Sequence, residues 1–189
     1  MSKIQNNPLL KGASGMLGKV VVYREVRGRV IMSNRPKKRS GPITPEQENF
    51  RSRFLRAVQY ARKQLESAVT KAEYQTGITE SKFSAYLVAL TDYLKAPVVN
   101  EVDASRYSGT VGDIIAIRAT DDFKVVLLQV SIIGPAGNLL EFGDAILQPE
   151  TFDDWRYAAT VANATLEGSK IIVTARDKPG NVTTAEKVL

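Results

Sequence analysis

Arginine and lysine are the side chains of this sequence best suited to chemistry with another molecule, and nine of them lie between residues 35 and 63. Each carries a positive charge and several hydrogen-bond donors, so a group of them can bind phosphates or an acidic protein surface. On flexible backbone such side chains follow a charged rod without reading its sequence. A solvated surface is the plain alternative, and the sequence leaves both open. We name this set the basic cluster: Arg35, Lys37, Lys38, Arg39, Arg51, Arg53, Arg56, Arg62 and Lys63.

Cysteine and histidine are both absent from the 189 residues. Without cysteine there is no disulfide, thiolate nucleophile or cysteine metal site. Without histidine the chain lacks the commonest general acid–base group and the commonest metal ligand. A lysine-assisted serine nucleophile needs Ser-x-x-Lys, and no serine in the sequence has a lysine at that spacing. We therefore expect no enzymatic activity, no catalytic residue and no cofactor.

The glycine-rich stretch GASGMLGKV matches a phosphate-binding loop only in part. A P-loop needs glycine where Ala13 stands and serine or threonine where Val20 stands. We interpret the stretch as a flexible approach to the strand that follows, because glycine adopts backbone angles that other residues avoid.

Two pairs of adjacent acids, Asp121-Asp122 and Asp153-Asp154, are the remaining candidates for carboxylate chemistry. Neighbours on a strand point to opposite faces, so neither pair converges on one substrate. We expect solvated turns at both places. Oxygen ligands alone can bind a metal, but the D-x-[DN]-x-[DN]-G spacing of a calcium loop is missing, and we expect no metal site.

Charge divides the chain into two unlike halves. Residues 1–97 contain 18 Lys+Arg and 7 Asp+Glu, a net charge of +11, whereas residues 98–189 contain 8 and 13, a net charge of −5. The composition, 43% hydrophobic and 24% charged, is typical of a globular protein, and the length suits one large or two small domains. We predict domains at 1–97 and 98–189, and a polyanion or a further copy of the chain as partner of the basic half.

The first domain is predicted to begin with a β-hairpin and a long helix. Valines alternate in GKVVVYREVRGRVIMSN on both sides of a turn at Arg27-Gly28. Thr44, Pro45 and Gln47 supply the N-cap, the first helical position and a capping box. The apolar stripe that we expect to pack into a core consists of Phe50, Phe54, Ala57, Ala61, Leu65 and Ala68, with Arg53, Arg56 and Lys63 on the opposite face.

A second helix is predicted from about Thr79 to Leu94. Its expected buried side consists of Phe83, Tyr86, Leu87, Leu90 and Leu94. Pro97 stops a helix, so KAPVVNEVD is predicted to be an extended linker to the second domain.

Beyond residue 97 the apolar residues recur with a period of two. They alternate in KVVLLQVSII, WRYAATVA and KIIVTAR, and turn signals such as GPAGN, LEGS and KPGN separate these runs. Several short strands without a helix signal predict an antiparallel β-sandwich of the immunoglobulin type that lacks the disulfide. The fold class is therefore predicted to be α+β, with a small hairpin and two-helix module followed by an all-β sandwich.

No stretch of the sequence approaches the roughly 18 apolar residues of a membrane span, and MSKIQNNPLLKGASG lacks the apolar run of a signal peptide. We expect a soluble chain that is made and kept in the cytoplasm, or carried in a virion if a phage encodes it. No membrane partner is expected. A secreted adhesin would need an export signal that the sequence does not show.

The order of motifs in the first half resembles that of an uncharacterised bacterial and prophage-associated family. The matching segments are KGASGMLGKVVVY, GRVIMSNRPKK, GPITPEQ and NFRSRFLRAVQYA, which cover about a third of the chain. The second half resembles the immunoglobulin-like modules of bacterial adhesins and phage virion proteins, chiefly through VTARDKPGNVT, in which Asp177, Gly180 and Asn181 match a turn between late strands. The first resemblance implies no activity, and the second concerns the fold.

These observations predict a non-enzymatic, self-assembling structural protein, capsid-associated or part of a tail in a phage or phage-like particle. Its basic module would contact a neighbouring subunit, another particle protein or packaged nucleic acid. The alternative is a cytoplasmic protein that binds nucleic acid without sequence preference, with the arginine-rich helix against phosphates.

Overall fold

The computed structural model describes residues 2–4, 14–26, 28–37 and 41–189. Residues 2–4 are described by their backbone alone. Within these residues the fold is α+β, with three helices and three antiparallel sheets. The chain divides into two compact units, Met1–Thr44 and Pro45–Leu189. Residue 97 falls inside the second unit, between its helices and its strands, and its role as a domain boundary stays a prediction.

The N-terminal unit contains a four-stranded sheet in the order β1-β4-β3-β2. Its strands are β1 (Ser2–Ile4), β2 (Gly15–Leu17), β3 (Val21–Val26) and β4 (Arg29–Asn34). The predicted hairpin is confirmed, since Val26 pairs with Arg29 across the turn. Gly28 has a φ of +70°, which a side chain with a Cβ seldom adopts.

Three helices, rather than the two that we predicted, are the first elements of the second unit. They are α1 (Pro45–Glu66), α2 (Ala68–Gln75) and α3 (Ala85–Leu94). The start of α1 at Pro45 agrees with the prediction, and Glu46 and Glu48 in its first turn suit the positive end of the helix dipole. The predicted start of the last helix at Thr79 is wrong, because the Ser84 hydroxyl accepts a hydrogen bond from the Leu87 amide and so caps α3 five residues later.

Small side chains form the contact between α1 and α3. The buried residues of this helical core are Ala57, Ala61, Tyr74, Ala85, Val88, Ala89 and Leu90. Phe83, which we predicted to be buried, precedes α3 and is 63% exposed. Alanines at the contact allow the helix backbones to approach closely, and larger residues beside them fill the remaining space.

The two remaining sheets have the strand orders β5-β6-β10-β9 and β12-β11-β7-β8. The strands of the first are β5 (Val98–Asp103), β6 (Ile114–Thr120), β9 (Ile146–Leu147) and β10 (Asp154–Ala158). Those of the second are β7 (Val125–Ile133), β8 (Leu139–Asp144), β11 (Lys170–Asp177) and β12 (Val182–Val188). The predicted linker is thus largely strand β5, which pairs with β6.

Alternate residues of both sheets share one hydrophobic core, so the predicted period of two is confirmed. Ile115, Ile117 and Trp155 come from the first sheet, and Val130 and Val173 from the second. All five are buried, whereas their neighbours along each strand are more exposed. This alternation is the pattern of two sheets packed face to face.

A hydrogen bond and an aromatic contact join the helices to the sandwich within the second unit. The Asn181 side chain, in the turn between β11 and β12, donates to the carbonyl of Lys95 just after α3 (3.0 Å). The Phe123 ring, in the turn between β6 and β7, lies 4.7 Å from the Tyr74 ring, measured between centroids. The helices and the sandwich are therefore parts of one packed body.

Gly109 provides a test of the loop between β5 and β6. Its φ is +87°, and a Cβ added there would lie 2.2 Å from the Asn163 carbonyl oxygen. Gly112 in the same loop has a φ of +95° with open space around it. We expect Gly112→Ala to cost about 1–2 kcal/mol through the backbone conformation, and Gly109→Ala to cost about 1–3 kcal/mol more through the clash. Chemical denaturation measures both, and equal costs would contradict the described loop.

The buried carboxylate of Glu141 makes the stability of the sandwich depend on pH. This carboxylate accepts hydrogen bonds from the Tyr157 hydroxyl and from the backbone amides of Thr160 and Val161. Burial alone would raise the pKa of Glu141, but these hydrogen bonds outweigh it and hold the pKa below its usual value. Because the folded pKa is depressed, this stabilisation is present at neutral pH and is lost as pH falls below about 4.3, the ordinary glutamate value.

We expect Glu141→Gln to cost about 1–3 kcal/mol at pH 7, because its amide nitrogen cannot accept the hydrogen bond that a carboxylate oxygen accepts. The difference from the wild type should shrink as pH falls toward 3. Urea denaturation at a series of pH values measures it, and a difference independent of pH would contradict the ionised carboxylate.

Candidate functional site

The structure describes seven of the nine residues of the basic cluster, two of them after β4 and five on α1. Arg35 and Lys37 follow β4 in the N-terminal unit, and both are exposed. Lys38 and Arg39 lie outside the described residues. The other five members, all exposed, lie on α1: Arg51, Arg53, Arg56, Arg62 and Lys63.

Four of these five side chains share the outer face of α1. At about 100° per residue, Arg51, Arg56, Arg62 and Lys63 lie opposite the buried Ala57. Within residues 41–189 and the other described ranges, none of the four forms an ion pair. Their charges are therefore available to another molecule.

Arg53 differs from the prediction. We placed it on the outer face, but it borders the packed side, and its Nη2 donates to the Leu94 carbonyl at the end of α3 (2.8 Å). A guanidinium at a helix C-terminus satisfies a free carbonyl and suits the negative end of the dipole. Arg53 therefore contributes to the packing of the two helices.

The apolar stripe of α1 is buried only in its second half. Ala57 and Ala61 are fully buried, but Phe50 is 66% and Phe54 43% exposed, and Ala68 is exposed as well. The prediction that the whole stripe packs into a core is therefore wrong. The reason is length: α1 has 22 residues and spans about 33 Å, whereas α3 has 10 and spans about 15 Å.

Every residue from Pro45 to Arg56 is exposed, and we name this segment the α1 overhang. It presents two aromatic rings on the face that continues the packed stripe. At about 100° per residue, Arg51 lies about 60° from Phe54 around the helix, whereas Arg56 lies on the far side of it. An amphipathic helix end of this kind combines apolar contact area with charge, which are the two properties of a protein-binding surface.

The positive charge of the chain is concentrated in the N-terminal unit. Residues 1–44 contain ten Lys+Arg and one acid, Glu25, so their net charge is +9. Val30 is the only buried side chain among those that the structure describes in this unit. Its exposed apolar side chains are Met16, Leu17, Val20, Val26 and Ile43. A small sheet needs a hydrophobic face that packs on something, so these side chains favour a further contact.

A second group of polar side chains lies where the helices meet the sandwich. The Tyr60 hydroxyl is hydrogen-bonded to the Tyr74 hydroxyl (2.7 Å), and the Tyr74 hydroxyl donates a hydrogen bond to Asp92 Oδ2 (2.6 Å). Burial raises the pKa of Asp92 to about 8, against the effect of the Tyr74 hydrogen bond and with a contribution from Asp121. Burial also raises the pKa of Tyr60 to about 12. These groups therefore hold their protons more tightly than usual.

The acidic pair Asp121-Asp122 is not a solvated turn as predicted. The Asp122 side chain is 8% exposed and pairs with Lys82 (2.8 Å) and Lys95 (2.5 Å). Asp121 is half-buried, and its Oδ2 accepts the amides of Phe123 and Lys124. The turn is packed against the helices, which local sequence cannot reveal. In the second pair, the partly exposed Asp154 contacts Arg118 (3.2 Å).

The sequence analysis missed two features, the exposed aromatic rings of α1 and a cluster of three aspartates. The exposure of Phe50 and Phe54 follows from the short partner of α1, and the lengths of α1 and α3 are the only signal that could have revealed it. Asp92, Asp121 and Asp177 come together through the tertiary fold, and no local motif marks them.

No protein-family model, no curated protein and no solved structure matches this chain. In the part of the chain that the structure describes, no helix combines the length and the apolar character needed to cross a membrane.

Tyr74 provides a test of the buried hydrogen bonds. Tyr74→Phe leaves the Asp92 carboxyl without this donor, and we expect a loss of about 1–3 kcal/mol in the free energy of unfolding. Tyr60→Phe is the matched control, because among the described residues its hydroxyl is hydrogen-bonded to Tyr74 alone, and it should cost about 1 kcal/mol or less. Denaturant unfolding compares the two, and an equal or larger cost for Tyr60→Phe would contradict this account.

Proposed function

We propose that this protein is a non-enzymatic structural component that assembles with further copies of itself. The observation that carries the proposal is the α1 overhang, in which Phe50 and Phe54 are exposed beside arginines that have no ion pair in the described residues. The N-terminal unit supplies a second assembly surface, with its high positive charge and its exposed apolar side chains.

Apolar contact supplies the affinity in this proposal. Phe50 and Phe54 continue the stripe that packs α1 against α3, so a partner that covers them extends an existing helix contact. Full burial of a phenylalanine side chain stabilises a contact by about 1.5–3 kcal/mol. Two such residues at the centre of an interface can act as its anchors.

Charge favours another copy of the chain as the partner. Residues 1–44 carry a net charge of +9, whereas residues 98–189 carry −5. Asp103, Glu150 and Glu167 are exposed on the acidic part. A basic surface on one copy therefore faces an acidic surface on the next, which orients the subunits and speeds their association.

The sandwich is proposed to have the immunoglobulin-like arrangement. Its two sheets, β5-β6-β10-β9 and β12-β11-β7-β8, support this through their strand orders. An immunoglobulin constant-type domain orders its strands as A, B, E and D in one sheet and C, F and G in the other. Strands β5, β6, β10 and β9 correspond to the first set, and β7, β11 and β12 to the second. This fold carries many functions, so it supports the role of a bridging module without defining a ligand.

We place this assembly in a phage or phage-like particle, as a capsid-associated or tail component built in the host cytoplasm. The support for this setting is the resemblance of the N-terminal motifs to a prophage-associated family. It also agrees with a chain that has neither cysteine nor histidine for catalysis.

Nucleic-acid binding without sequence preference is the second candidate function. The charge of +9 within 44 residues favours it, because phosphate contacts need a dense positive surface and little else. This candidate assigns the basic cluster to phosphates and leaves Phe50 and Phe54 without a role.

Assembly is tested by light scattering on the nuclease-treated protein after size exclusion. The wild type should form an oligomer free of nucleic acid at micromolar concentration. The double variant Phe50→Ser, Phe54→Ser should dissociate with a Kd raised about 100-fold or more, since each ring contributes about 1.5–3 kcal/mol. Phe152→Ser is the matched control, because Phe152 is 99% exposed and lies outside α1, and it should leave the oligomer unchanged.

A protein that stays monomeric at every concentration would contradict the proposal. If such a monomer shifts on addition of duplex DNA and is released as salt rises, nucleic-acid binding is the correct function. Equal dissociation of the Phe152→Ser control would show that the overhang is not the interface.

A further inference from the structure

Three carboxylates from separate segments of the second unit come together in the fold. Asp92 lies on α3, Asp121 follows β6, and Asp177 ends β11. One oxygen from each lies within 4.8 Å of the oxygens of the other two. The cluster therefore joins the helices to both sheets of the sandwich.

Two of these carboxylates are buried, and the cluster is only partly satisfied by hydrogen bonds. Asp92 is fully buried and Asp177 is 1% exposed. Hydrogen bonds reach Asp92 Oδ2 from Tyr74 and Asp121 Oδ2 from backbone amides, while both oxygens of Asp177 accept from Asn181. Asp92 Oδ1 and Asp121 Oδ1 are buried, and no donor among the described residues reaches either of them, although the Asp92 and Asp121 carboxyls are close enough to share a proton. A wholly buried carboxylate oxygen without a partner indicates that a further group belongs there.

The nearby lysines do not supply that group. Lys124 and Lys178 pair with Glu73, and Lys82 and Lys95 pair with Asp122. In the described ranges, no lysine or arginine forms an ion pair with Asp92, Asp121 or Asp177. If all three carboxylates were ionised, they would repel one another in surroundings where they have lost their hydration. A bound cation or a shared proton must therefore offset this repulsion.

We propose that Asp92, Asp121 and Asp177 form a structural calcium site. All three donors are oxygen atoms, which hard divalent cations prefer. The oxygens lie within 4.8 Å of one another, close enough to share one ion. Magnesium usually keeps several waters and takes one or two carboxylates, whereas calcium accepts more oxygen ligands in flexible geometry, so a group of three carboxylates suits calcium. Water and the second oxygens of the carboxylates complete its coordination.

The proposed ion stabilises the contact between the helices and the sandwich. It ties α3 to the β6–β7 turn and to the end of β11, next to the point where Asn181 holds the chain after α3. Since α1 packs on α3, the ion also fixes the base from which the α1 overhang extends. The site stands independently of the proposed function, because it rests on the interior of one subunit.

Thermal unfolding and isothermal titration calorimetry on the full chain test the site. After treatment with EDTA and its removal, CaCl₂ is compared with MgCl₂ and with KCl at matched ionic strength. A ligand that binds the native state raises Tm, and at 100 times Kd a rise of about 5 °C or more is expected for a protein of this size. Calcium should give this rise and measurable binding heat, and KCl should give neither.

Variants separate metal binding from packing. Asp121→Asn should abolish the calcium response, yet in EDTA it should be at least as stable as the wild type, because it removes one carboxylate from a group whose members repel one another when ionised. Asp122→Asn is the matched control from the same turn, since it loses the lysine pairs and stability but should keep the calcium response.

Several results would overturn the proposal. One is an absence of binding heat and of any Tm rise with calcium beyond that with KCl. If Asp92→Asn is then more stable than the wild type, a shared proton offsets the charges. A calcium response that survives Asp121→Asn would also overturn the site, and an equal response to magnesium would overturn its assignment to calcium.

Discussion

The packing of α1 against α3 determines which part of α1 is left exposed, because α1 is about twice as long as α3. Ala57 and Ala61 allow close approach and are fully buried, but the same stripe continues through Phe54 and Phe50, which are exposed. Arg53 marks the limit of the contact, where its guanidinium binds the last carbonyl of α3. The exposure of Phe50 and Phe54, which lie on either side of Arg53 in the sequence, is a consequence of this mismatch in length.

Hydrogen bonds around this contact hold α3, and with it the exposed end of α1, in place. Tyr74 connects the helical core to Asp92 by a buried hydrogen bond, and Asn181 connects the end of α3 to the sandwich. The overhang thus extends from one packed body rather than from a loosely attached helix. The N-terminal unit contributes charge and apolar surface but buries few of its described side chains. Apolar contact and opposite charges together can give both the affinity and the orientation that assembly needs.

Local signals predicted the local structure well. The hairpin, the start of α1 at Pro45 and the strands of the sandwich follow from caps, turns and periodicity, which neighbouring residues determine. The sequence could not predict the exposure of Phe50, because periodicity reports that a helix is amphipathic and not how long its partner is. It also could not predict that Asp121 meets Asp92 and Asp177, since that meeting depends on how the β6–β7 turn packs on the helices.

Hydrogen–deuterium exchange of α1 across a dilution series tests the central claim most directly. Exchange of the amides in the overhang should slow as concentration rises, because a partner that covers Phe50 and Phe54 suppresses fraying of this helix end. The amides from Ala57 to Leu65 should exchange slowly at every concentration, since this half of α1 is packed within the subunit. If the overhang exchanges equally fast in the monomer and in the oligomer, its aromatic stripe is not an assembly surface and the account is wrong.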